Sequence, residues 1–130
     1  MDNEVGNTLA VALRETTEAM LQELRARSPE YLPEYLRGKD PHPWDINNGM
    51  CEEFAETVAA RVPGAEAIPA YDPELHPERE DGGWDCDHFV VELAGRFYDA
   101  ECHSGVDRVR DLPIYRHRGQ SRSEVICATE

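Results

Sequence analysis

Residues 47–62, NNGMCEEFAETVAARV, decide how this chain is read. From Met50 to Val62 the apolar or small positions are Cys51, Phe54, Ala55, Val58, Ala59 and Val62. Their three-and-four spacing predicts an amphipathic helix with one buried face. Asn47 or Asn48 suits its N-cap, Glu52 and Glu53 suit the positive end of its dipole, and Pro63-Gly64 ends it. Cys51 then falls in the first turn on the buried stripe. The first-turn amides and the dipole favour a thiolate there.

Upstream, Leu9, Leu13, Met20, Leu21 and Leu24 recur at helical spacing and predict a helix over 5–27 with a Glu-rich outer face. Ser28-Pro29-Glu30 starts a second, short helix carrying Tyr31, Leu32, Tyr35 and Leu36, which stops at Gly38. The stretch GKDPHPWD, residues 38–45, contains two prolines and is expected to be an extended connector.

Downstream the pattern turns to strands. Residues 66–71 are one candidate. Asp72 to Gly83, DPELHPEREDGG, is acidic and rich in Pro and Gly, and is expected to form a mobile loop over the site. CDHFVVEL (86–93) and RFYDAEC (96–102) flank Ala94-Gly95 and predict a hairpin. With a two-residue turn, Leu93 pairs with Arg96, and Asp99 lies opposite Val90, diagonal to His88. With a four-residue loop Asp99 faces His88 directly. Either even length puts the imidazole and the carboxylate on one face. After Ser104-Gly105, VDRVRDLPIYRHR predicts a turn and a short strand, and the last dozen residues carry little pattern.

A cysteine at a helix N-terminus, a strand histidine and an aspartate on the neighbouring strand supply a nucleophile, a base and a group that orients the base. Cys51 attacks an acyl carbon, His88 moves the proton, and Asp99 holds the ring. Asn47, Asn48 or the Cys51 amide is the candidate donor to the developing oxyanion. Trp44 and Trp84 border the site in sequence and are candidate walls of a substrate groove.

At these residues the chain resembles a family. NNGMCEEFAETVA followed by DHFVVELAGRFYDAE is similar to the papain-like cysteine hydrolase superfamily, above all its transglutaminase-core branch. That branch sets Gly-x-Cys-x-x-Phe/Tyr-Ala at a helix start, then a strand His before apolar residues, then an aromatic-rich strand with Asp. The resemblance spans roughly residues 44–105. It implies Cys51 as nucleophile, His88 as base and Asp99 as third member, in that chain order. It also implies peptidase, amidase, deamidase or acyl-transfer chemistry on a peptide, protein or small amide, with no cofactor and no metal. The expected architecture is one α+β domain over 1–130. A helical layer, 1–43, precedes a papain-like or transglutaminase-like core, 44–105, in which the Cys51 helix packs on a small antiparallel sheet.

Composition bounds the alternatives. The chain has 130 residues, 27 Asp and Glu against 13 Lys and Arg, and a net charge of −14. That argues against a nucleic-acid or anionic-membrane surface. The longest apolar runs are too short to span a bilayer, and MDNEVGNTLA does not have the pattern of a secretory signal. The expected location is cytoplasmic, with the four cysteines reduced. Two other readings stand beside the hydrolase. Cys86, His88, Cys102 and His103 at the open end of the hairpin form a candidate zinc site, although strand alternation sends Cys102 to the opposite face. The acidity also suits a non-catalytic interaction protein on a degenerate papain-like fold, with the Glu-rich face of the first helix as a partner surface.

Overall fold

A computed structural model describes residues 3–71, 88–117 and 120–129. Among them are five α-helices and a four-stranded antiparallel sheet in the order β1-β2-β3-β4. Helix α1 is Asn3–Ala26, α2 Pro43–Asn47, α3 Cys51–Arg61, α4 Pro113–Arg116 and α5 Arg122–Thr129. The strands are β1 Glu66–Pro69, β2 Phe89–Leu93, β3 Arg96–Asp99 and β4 Cys102–Val106.

The fold centres on α3, which packs against α1 on one side and against β1 and β2 on the other. Its buried Phe54, Ala55 and Val58 join Leu9, Leu13 and Leu21 of α1, and Val91, Leu93 and Tyr98 of the sheet, in one core. Burying each of these larger apolar side chains contributes about 1.5–3 kcal/mol. The opposite sheet face is covered by a second cluster in which Val90 and Cys102 meet Val109, Leu112 and Tyr115. The sheet is therefore buried on both faces, which is why β2 is a nearly unbroken apolar run.

The hairpin closes through the two-residue turn. Leu93 pairs with Arg96, and Val91 pairs with Tyr98. Ala94 at φ 53° and Gly95 at φ 80° both occupy the left-handed region that such a turn demands.

Four local expectations are corrected. The connector is not wholly extended, because Pro43–Asn47 is helical. His42 Nδ1 accepts the Trp44 N–H at 3.0 Å, and Asp45 Oδ2 accepts the His42 N–H at 2.8 Å, a reciprocal cap with Pro43 in the first turn. Neither Asn47 nor Asn48 caps α3. Both belong to the end of α2, and Met50 begins α3 without a side-chain cap. The short helix after Ser28 is two 3-10 turns, Pro29–Tyr31 and Glu34–Leu36. Pro33 lies between them, lacking an N–H and holding residue 32 extended. Last, the stretch after Gly105 forms a 3-10 turn, Val109–Asp111, and α4 in place of a strand, with Pro113 opening the helix. The extra strand is β4, whose His-Ser-Gly centre resembles a turn in sequence. The acidic loop 72–83, Trp84 and Cys86 lie outside the described residues.

Candidate active site

The first residue of α3 and the residue immediately before β2 converge. Cys51 is half-buried, and its thiol lies beside the His88 side chain and the backbone N–H groups of Phe89 and Glu52. His88 is buried, with Nε2 2.9 Å from Asp99 Oδ2. Nε2 faces the carboxylate, and Nδ1 is the ring nitrogen turned away from it. Tyr115 packs edge-on against the imidazole at 6.2 Å between centroids. Three sequence-predicted residues, Cys51, His88 and Asp99, are thus brought together in the expected order of contact.

The electrostatics follow from these contacts. Burial pushes the Cys51 thiol up, but the hydrogen bond and charge of His88, with the two amides, outweigh it, and the thiol ends below its ordinary value. Burial also works against charge on His88. The Asp99 carboxylate and the Cys51 sulfur overcome it and raise the imidazole to about 9. The two shifts are opposed, and each favours the charged form of its own group, thiolate for Cys51 and imidazolium for His88. Cys102, the other cysteine whose surroundings are described, goes the opposite way: burial and then Asp99 raise its thiol.

Asp99 is itself fixed. Its Oδ1 accepts the Glu101 N–H at 3.0 Å while Oδ2 serves the imidazole. Glu101 Oε1 in turn accepts from Asn47 Nδ2 at 2.8 Å. Burial and the nearby Asp99 raise the Glu101 carboxyl, and the Asn47 amide partly offsets them. This supporting layer escapes sequence reasoning, although Asp-x-Glu at 99–101 offers one signal. A side chain that accepts the N–H two residues on is the habit of a strand-ending Asp.

A groove of about 480 Å³ opens over the thiol, bordered by Gly49 to Glu53, Glu56, His88 and Phe89. Asn47, Asn48 and Trp44 do not border it. Asn47 is buried behind the site against Glu101, Asn48 donates its amide to the Trp44 carbonyl at 2.8 Å, and Trp44 packs edge-on to Tyr35. As the first residue of α3, Cys51 has a backbone N–H with no acceptor inside the helix, next to its own thiol. Of the candidate zinc ligands, Cys102 is buried in β4 and His103 Nε2 lies 3.1 Å from Thr17 Oγ1. Among the described residues no three His, Cys, Asp or Glu side chains are arranged to hold a metal. No helix there is long and apolar enough to cross a membrane.

Comparison with protein-family models, curated proteins and solved structures found no match to this chain.

Proposed function

We propose that the chain is a cysteine-dependent hydrolase or acyl transferase whose triad is Cys51, His88 and Asp99, built along papain-like lines and nearest to the transglutaminase-core branch. The observation that carries the reading is a half-buried thiol, held below its ordinary pKa, against a buried imidazole that is locked by a buried carboxylate. A structural core cysteine needs none of these partners.

In the first half-reaction the Cys51 thiolate adds to the substrate carbonyl carbon. The carbonyl π pair moves onto oxygen, where the Cys51 N–H and the positive end of α3 stabilise it. The imidazolium of His88 protonates the leaving amine as the carbon–nitrogen bond breaks, leaving a thioester. In the second, His88 takes a proton from water, or from another acceptor, as that nucleophile displaces the sulfur. Asp99 keeps Nε2 protonated and Nδ1 directed at the reacting atoms.

Iodoacetamide alkylation near pH 6–7, mapped by mass spectrometry, tests the reading. Cys51 is expected to react first, ahead of Cys86, Cys102 and Cys127, and His88→Ala to slow it about tenfold or more, since losing the imidazolium raises the thiol pKa. If Cys51 is instead the slowest thiol, and Cys51→Ser costs several kcal/mol of stability, it is a core residue and the proposal falls.

A further inference from the structure

The groove over Cys51 is bordered by two unlike kinds of side chain. Met50 and Phe89 are partly buried and pack on the main core, presenting apolar surface beside the thiol. Glu52, Glu53 and Glu56 are exposed and also border it, and among the described residues no Lys or Arg does. Among the described residues none of these three carboxylates has an ion pair. The first two have a ready structural reason, because acids in a first turn complement the helix dipole. Glu56 does not, since it stands five residues in, about 7.5 Å along the axis from Cys51. The same groove is bordered by Cys51 and His88, so the acids bear on what reaches the thiol.

We propose, resting on the thiol-hydrolase reading, that the substrate carries a cationic side chain of the lysine or arginine kind next to the carbonyl that Cys51 attacks. The chemistry of the walls fits that occupant. An aliphatic stem lies on Met50 and Phe89, and the charged head reaches the carboxylates one turn along α3. An arginine or lysine side chain spans roughly 6–7 Å from its Cα, comparable with the rise from Cys51 to Glu56. The volume suits one such side chain with its flanking backbone. An anionic side chain in the same place meets three like charges and, among the described residues, no Lys or Arg.

The test uses three acetyl-aminoacyl chloromethyl ketones that differ only in side chain: arginine, norleucine and glutamate. Each alkylates a thiolate, forming a carbon–sulfur bond as chloride leaves. Norleucine has the stem without the charge. The wild-type protein is expected to lose free Cys51 about fivefold or more faster to the arginine reagent than to norleucine, with glutamate slowest. In Glu52→Gln/Glu56→Gln the arginine-to-norleucine ratio is expected to fall to within twofold. In Glu30→Gln/Glu34→Gln, which removes the same charge from exposed positions in the two 3-10 turns, the ratio is expected to persist. A ratio near one in wild type, while iodoacetamide still selects Cys51, overturns the substrate class and leaves the thiol chemistry standing. A ratio that collapses equally in both double variants also overturns it, because the preference then belongs to the net charge of the whole protein. Failure of iodoacetamide to select Cys51 removes the hydrolase reading, and the substrate class with it.

Discussion

His88 Nε2 and Asp99 Oδ2 meet at 2.9 Å with side chains that are 0% and 1% exposed. A pair so enclosed gains from charge only while the imidazole is protonated. His88 titrates near 9 against an ordinary value of 6.5, so its contribution to stability is complete below about pH 6.5 and disappears as pH climbs through about 9. Asp99→Asn removes the strongest influence holding the imidazole up. Its His88 resonances are expected to titrate at least one unit lower by NMR. The stability gap to wild type should be largest below pH 6.5 and shrink towards pH 9. A gap that widens with rising pH contradicts the ion-pair assignment.

The Asn47–Glu101 bond behind the triad makes a second pH-dependent case. Asn47→Asp sets a carboxylate against one that burial and Asp99 already raise. The raised group keeps a proton in the folded protein that it loses when unfolded, so folding is favoured at low pH and penalised as pH rises. Urea denaturation should show a loss of about 2–3 kcal/mol at pH 7.5 and markedly less at pH 5. Equal losses at both values contradict the assignment.

Arg122 of α5 grips Asp45 of α2 through two 2.8 Å contacts and holds the Asp40 carbonyl at 2.9 Å. Asp45 is 1% exposed, so Arg122→Leu strands a buried carboxylate whose remaining partner among the described hydrogen bonds is the His42 N–H. The expected cost is about 3 kcal/mol in chemical denaturation. Adding Asp45→Asn should return part of it. A double variant no better than the single one argues against the clasp.

Gly105 lies in β4 at φ 80°, and a Cβ there stands 2.5 Å from Cε1 of Tyr98. Gly105→Ala combines a left-handed conformation with displacement of a buried ring, at an expected cost of about 3 kcal/mol. Tyr98 neighbours Asp99 on β3, so Cys51 alkylation is expected to slow as well. Loss of less than 1 kcal/mol shows that the ring gives way.

Legibility in the sequence tracked the range of the forces involved. The α3 stripe and the 94–95 turn are local, and each follows from a handful of consecutive residues. They suffice to put Cys51 in the first turn of α3 and to leave His88 and Asp99 on one face of the hairpin. What escaped depends on contacts across the chain or on unusual capping. His42 serves as an N-cap, a role that falls more often to Ser, Thr, Asp or Asn, so α2 stayed hidden in a proline-rich stretch. With α2 missing, Asn47 and Asn48 look like the cap of the next helix, when their side chains turn to Glu101 and to the Trp44 carbonyl. β4 is held by pairing with β3 and by the fit of Gly105 under Tyr98, and neither is visible in Cys-His-Ser-Gly-Val itself.

The separation of eleven positions between His88 and Asp99 also sets an order of assembly. A hairpin with a two-residue turn closes in microseconds, because little chain entropy is lost in joining its ends. The base and its carboxylate can therefore find each other early, in water, on a segment that folds by its own local rules. Cys51 arrives by a longer route, when α3 docks between α1 and the sheet. Until then its thiol has ordinary acidity, and the chain in the making is protected from its own nucleophile. Pulsed iodoacetamide during refolding should therefore find Cys51 sluggish in the earliest species and fast only once the core has closed. On this order the thiol acquires its lowered pKa only at the last stage of folding.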